Sequence, residues 1–287
     1  MGLPGIDETI ESISASGKSK SRLPVDVLLA SSFLAGAYIA FGAFLAVMAS
    51  AGAPWPQGIP GLQKLLYAAV FPVGMVYVII AGAELFTGNC MFLTVALFRR
   101  EIRLRDLLRN WFLVWIGNFA GGIAVAYLFG RLGGVLMTEP WMGYVYSLAR
   151  GKCSLPFSEA FWRGVGANWM GCLAVWMAMK GTTIVDKAIA GQLPIMTFVT
   201  LGLENSIANM FTISACLFAV GPTSQVTWKV FLLNNLLPVT MGNIVGGAFF
   251  VGGIYLFISR RKEQAQRAVY QKPIDERNRK FKVDSAE

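Results

Sequence analysis

Two short stretches gather polar side chains where the surrounding chain is apolar. Gly202-Leu-Glu-Asn-Ser-Ile-Ala-Asn209 lies inside an apolar segment from about Ile189 to Val220, and Gly82-Ala-Glu-Leu-Phe-Thr-Gly-Asn89 inside one from about Leu65 to Phe98. Both read Gly-x-Glu-x-x-x-x-Asn. An acidic residue at the centre of a bilayer costs about 2.5–3.5 kcal/mol, so Glu84 and Glu204 are not expected to face lipid. At membrane depth such groups satisfy a broken backbone or line a wet path. The chemistry expected is therefore that of a transport site. Glu84 and Glu204 can accept bonds from the freed N–H groups of an interrupted helix, while Asn89 and Asn209 can both donate and accept. Support of the two breaks is favoured for these four residues over direct substrate contact, because buried polar groups are hydrogen-bonded. Half-helix N-termini aimed at the centre would add positive potential, which suits an anion.

The elements that must position these residues follow from composition and length. The 287-residue chain is 55% hydrophobic and 14% charged, with a mean hydropathy of +0.55. Soluble domains carry about 25% charged residues, so an integral membrane protein is expected. The net charge of +9 does not argue for nucleic acid, since the basic residues cluster in the tails and in loops on one side. Spans are expected at about Val25–Met48, Leu65–Phe98, Trp111–Phe129, Glu159–Met179, Ile189–Val220 and Val230–Ile258. As one helix the second would be about 50 Å long against a hydrocarbon core of about 30 Å. An interruption at Gly82–Asn89 resolves the excess, and the fifth has the same problem, with Pro194 near its start. The first apolar run is too long for a cleavable signal.

A polar leader at 1–22 carries Ile6, Ile10 and Ile13 at helical spacing, a pattern for a short amphipathic surface helix. The membrane region is expected at 23–260 and a polar tail at 261–287. Arg99, Arg100, Arg103, Arg105 and Arg109 make the most basic loop, which places it and both termini in the cytoplasm of a plasma-membrane protein. The chain from Arg131 to about Ser158 reads as a loop, with Lys152 and Cys153 in it. With no histidine and no CxxC pair, a Cys/His metal site is excluded, and no cofactor is expected. No HExxH, nucleophile constellation or phosphate-cradling glycine loop suggests an enzyme. An aquaporin-type channel for neutral solutes is a rival, although neither break carries Asn-Pro-Ala.

A second pair of matches relates the halves. Asn110 with Gly117-Asn118-x-x-Gly121-Gly122 parallels Asn235 with Gly242-Asn243-x-x-Gly246-Gly247. Three spans per copy is an odd number, so the second copy must insert upside down. The expected fold is all-α: six membrane helices in two inverted three-helix repeats, with the second and fifth helices broken.

At Gly82-Ala-Glu-Leu-Phe-Thr87, Ala167-Asn168, Leu193-Pro194, Glu204-x-Ser206-Ile-Ala-Asn209-Met210 and Pro238-Val-Thr-Met-Gly-Asn243 the chain resembles the formate/nitrite transporter family. The resemblance covers nearly all of the membrane region. It implies a homopentamer of aquaporin-like protomers, each holding its own pore for formate or a similar small monovalent anion (nitrite and hydrosulfide being alternatives). By position it puts Thr87 on the loop of the first break, Asn205 at the central site and Lys152 in a vestibule. It sets Asn168 on the pathway, and Phe71, Met75, Leu85, Phe86 and Phe198 in hydrophobic slits either side of the centre. Members usually carry His where this chain has Asn205. Asparagine can hydrogen-bond an oxyanion but cannot exchange a proton near neutral pH. The expected mechanism therefore takes the proton from water: Lys152 concentrates the anion, and desolvation raises its pKa as it leaves high dielectric.

Overall fold

The computed structural model describes residues 2–51 and 60–266; the loop expected at 52–61 and the tail expected at 261–287 fall largely outside them. A leading helix α1 (Ile6–Ser21) is followed by α2 (Val25–Ser50). The second expected span is three helices: α3 (Pro60–Val70), α4 (Val73–Ala81) and α5 (Phe86–Phe98). Then come α6 (Leu104–Leu132), α7 (Trp141–Cys153), α8 (Phe157–Ala178), α9 (Ile184–Leu201), α10 (Ser206–Ala219) and α11 (Trp228–Gln266).

Both expected breaks are present. Each ends a long half-helix on a glycine in the left-handed region, Gly82 at φ 76° closing α4 and Gly202 at φ 72° closing α9. Residues with a β-carbon rarely adopt that conformation, so these glycines stop the helix and turn the chain. The chain then runs extended through Leu85 and Asn205 before α5 and α10 begin.

Five helices among the described residues are long and apolar enough to cross a membrane: Val25–Ser50, Gly61–Ala81, Leu104–Leu132, Ile184–Leu201 and Trp228–Gln266. α8 has 22 residues, or about 33 Å. It is long enough to span but less apolar, consistent with a helix whose buried face carries Asn168 and several glycines and alanines. The half-helices α5 and α10 are shorter and buried almost all round.

Close helix packing fixes the frame. α2 lies on α6 and α8 on α11, and in both pairs the backbones nearly touch. A β-carbon at Gly36 would stand 2.1 Å from the Asn118 carbonyl oxygen, and one at Gly242 would stand 2.1 Å from the Phe161 carbonyl oxygen. Small residues at such crossings let membrane helices approach without a side-chain layer between them.

Four expectations need correction. The region read as a loop from Arg131 to Ser158 contains the helix α7, whose buried residues Val145, Ala149 and Cys153 recur every fourth position. That spacing was masked by the Gly, Tyr and Arg between them. Cys153 is accordingly a buried helix terminus rather than a loop residue. Third, the span expected to start at Trp111 starts at Leu104, and the one expected to end at Ile258 runs to Gln266. α1 is also more than a surface helix. Ile10 and Ile13 are fully buried against α5, Asp7 accepts a 2.6 Å bond from Ser259, and Glu101 accepts a 2.9 Å bond from Ser14.

Candidate functional site

The two breaks are held by matching sets of side chains. At the first, Asn118 Oδ1 accepts from the N–H of Phe86 (2.9 Å), while its Nδ2 donates to the carbonyls of Ser32 (2.7 Å) and Glu84 (3.0 Å). At the second, Asn243 Oδ1 accepts from the N–H of Ser206 (2.9 Å), while its Nδ2 donates to the carbonyls of Gly164 (2.8 Å) and Glu204 (3.0 Å). Each asparagine is fully buried, satisfies two backbone groups that the interruption frees, and ties the break to a carbonyl of the neighbouring helix, Ser32 in α2 or Gly164 in α8.

The acidic residues repeat the pattern. Asn89 Nδ2 donates to Glu84 (2.8 Å) and to Asn110 Oδ1 (2.9 Å); Asn209 Nδ2 donates to Glu204 (2.6 Å) and to Asn235 Oδ1 (2.8 Å). Asn110 and Asn235 then donate to the carbonyls of Lys20 and Lys152. Those two lysines complete the circuits as ion pairs. Lys152 Nζ reaches both oxygens of Glu204 at 3.0 and 3.1 Å, and Lys20 Nζ reaches Glu84 and sits 5.2 Å above the Phe92 ring. Sequence reasoning found Glu84 and Glu204 but missed Lys20 as a partner. Its position in a polar leader gave no sign that α1 folds back onto α5.

Three cavities share wall residues beside these networks. A vestibule of about 370 Å³ is lined by Lys152, Glu204, Lys64, Arg163, Phe71 and Phe198 among others. A second, of about 220 Å³, is lined by Lys20, Lys187, Asn89, Met75 and Leu85 among others. Between them lies a centre of about 10 Å³, walled by Phe71, Met75, Leu85, Thr87, Phe198 and Asn205 together with Ile39, Gly171 and Ile195. Phe71 and Phe198 face both the first vestibule and the centre, their rings crossing edge to face at 6.2 Å. Met75 and Leu85 face both the second vestibule and the centre. Each pair forms an apolar constriction.

At the centre the polar groups are few. Asn205 Oδ1 caps α10 by accepting from the N–H groups of Ile207 (2.9 Å) and Ala208 (3.3 Å). Two backbone donors require an acceptor there, so the oxygen is the inner atom and Nδ2 the outer one. Asn205 thus offers N–H donors to the passage. Thr87 lies opposite, in the first turn of α5 rather than on the preceding loop, because the break is over by Phe86. Leu85 cannot cap α5, and the N–H groups of Thr87 and Gly88 have no acceptor among the described residues.

Two expected pathway residues lie elsewhere. The Phe86 ring packs against Trp111 with centroids 6.2 Å apart and lines none of the three cavities. It directly follows the extended Leu85, so its side chain turns away from the face that Leu85 and Thr87 share. Asn168 is fully buried one layer back, donating to the carbonyls of Thr87 (3.0 Å) and Asn243 (2.6 Å). It positions Thr87 instead of meeting a solute. Lys152, expected as a free cation, is bound to Glu204.

A sequence profile described as formate/nitrite transporter matches residues 7–257. The chain belongs to the formate/nitrite transporter family. A probable formate transporter of Methanothermobacter thermautotrophicus is 41% identical over 264 residues, covering 87% of this chain and 95% of the relative. Among solved structures, an FNT family ion channel superposes with a TM-score of 0.80 at 31% identity, covering 87% of this chain and 98% of the other. A pentameric formate channel with formate bound superposes at 0.70 and 29% identity, covering 82% and 97%. This formate/nitrite transporter is therefore a multi-pass membrane protein of a transporter family rather than an enzyme. Asn205, a donor amide, stands at its narrow centre.

Proposed function

We propose that this protein is a conduit for formate, or a similarly small monovalent weak-acid anion, that moves together with a proton. The observation that carries the reading is the convergence of two vestibules on Thr87 and Asn205 through apolar constrictions at Phe71/Phe198 and Met75/Leu85. A bare anion loses several kcal/mol of hydration at such a constriction, and a neutral acid far less. With no histidine in the chain and an amide at the centre, the proton comes from water in the vestibule as the anion's pKa rises. The central donors, Asn205 Nδ2 and the N–H groups at the start of α5, then hold the solute's oxygens between the slits.

The matched networks around Glu84 and Glu204 support two inverted repeats, each contributing one break. The Arg99–Arg105 turn lies at the same end as α1 and the Lys20 vestibule, so that end is assigned to the cytoplasm and the Lys152 vestibule to the outside. Assembly as a homopentamer in the plasma membrane is supported by the pentameric relative and by the apolar exterior, including Ile116, Leu128 and Phe129.

Replacing Asn205 with leucine removes both the α10 cap and the central donor. Formate flux into proteoliposomes is expected to fall at least tenfold, consistent with a lost transition-state hydrogen bond of about 1.5–3 kcal/mol. The same liposomes should admit formate faster as external pH falls, and tests with nitrite and hydrosulfide rank the alternatives. Wild-type formate flux in Asn205→Leu would count against a polar centre.

A further inference from the structure

The lysines on the vestibule floors are occupied by glutamates, yet each mouth holds another cation. Lys64, on α3, is exposed and lines the Lys152 vestibule. Its ammonium lies 3.3 Å from where a β-carbon on Gly202 would stand, beside the turn that ends α9. The C-terminal end of a helix attracts an ammonium with about half a unit charge, so the lysine is steadied there without being neutralised. Among the described residues it has no ion-pair partner, whereas Arg163, in the same lining, is held by Glu159 at 3.0 Å. The second vestibule also holds a further lysine, although nothing lies within 4 Å of where a β-carbon on Gly82 would stand. Lys187, near the start of α9, lines the cavity that also contains Gly82, the turn that ends α4. It too has no ion-pair partner among the described residues, while Lys20 is bound to Glu84.

We infer that Lys64 and Lys187 are the capture residues of the two mouths, the first cations to meet an incoming oxyanion of carboxylate size. This rests on the reading of the chain as an anion conduit. The charge balance separates the two kinds of lysine. A floor lysine bridged to its glutamate contributes almost no net field, so the uncompensated charge at each opening is the rim lysine's. An anion drawn to the rim stands in wide, wet space, where it keeps its hydration until it reaches the slit. The rim lysine thereby sets how often the slit is approached, and the floor pair and the central donors set what happens next.

The effect is electrostatic through water, which fixes its size and its salt dependence. A unit charge about 8 Å away in water changes local anion concentration about two- to threefold, and reversing the charge about fivefold. At an ionic strength of about 500 mM the screening length is shorter than the vestibule is deep, and the effect disappears. The experiment uses full-length protein in proteoliposomes and initial uptake of radiolabelled formate well below saturation, at about 10 mM and about 500 mM ionic strength. For Lys64→Glu and for Lys187→Glu, flux about fivefold below wild type at low salt and nearly equal to it at high salt is the expected result. Lys64→Cys, treated from outside with a cationic or an anionic methanethiosulfonate, should recover or lose flux respectively, which removes any concern about folding. Equal flux for wild type and both charge reversals at low salt overturns the proposal, as does a deficit unchanged by salt, which marks a structural role. Wild-type liposomes that take up no formate would instead overturn the conduit reading itself.

Discussion

Lys152→Met should be among the most damaging single substitutions in the protein. Glu204 is 5% exposed, and its carboxylate is held by Lys152 and Asn209. Removing the lysine strands a buried charge, which costs about 3–5 kcal/mol when one partner of such a pair is lost. In detergent the variant is expected to melt well below wild type, and formate flux is expected to fall below detection because α7 and the Glu204 break no longer hold each other. The double variant Lys152→Met/Glu204→Gln has no stranded charge and should recover most of the stability. If the single variant melts with wild type, Glu204 is not held as a buried anion. The measurement also separates two accounts of Lys152: a free vestibule cation would alter flux and its salt dependence while leaving stability alone.

The second large effect is expected at Asn243. One amide satisfies the Ser206 N–H and the carbonyls of Gly164 and Glu204, all inside the protein. Leucine of similar volume leaves the two backbone groups at the break, the Ser206 N–H and the Glu204 carbonyl, without partners at about 1–3 kcal/mol each, or about 2–6 kcal/mol in sum, while the Gly164 carbonyl keeps its bond within α8. Asn243→Leu should therefore fail to yield folded protein, or yield protein with no formate flux, and Asn118→Leu should do the same at the other break. Gel filtration in detergent followed by liposome flux checks both. A folded Asn243→Leu with full flux would falsify the view that these amides hold the breaks open.

Much of this was legible in the sequence, for a physical reason. Polar residues are rare in apolar segments, so Glu84, Asn89, Glu204 and Asn209 announced the breaks, and Gly82 and Gly202 fell where the left-handed turns are. The pairs Asn110/Asn235 and Asn118/Asn243 were visible as a repeat, but their task was not, because a hydrogen bond between segments distant in sequence leaves no local trace. The same holds for Lys20 and Lys152. Each is an ordinary lysine in its own neighbourhood, and only the folding of α1 and α7 onto the breaks brings it to a glutamate. Phe86 illustrates a different limit. Its residue type suited a slit, but the extended backbone at Leu85 decides which of two neighbouring side chains faces the passage.

The narrow centre has a kinetic consequence of its own. At about 10 Å³ it has room for roughly one water-sized guest between the two constrictions. Solutes therefore cannot queue there and push one another along, as they do in filters with several adjacent sites. Tracer fluxes in opposite directions should be independent, with a flux-ratio exponent of one, and throughput should level off as concentration rises instead of steepening.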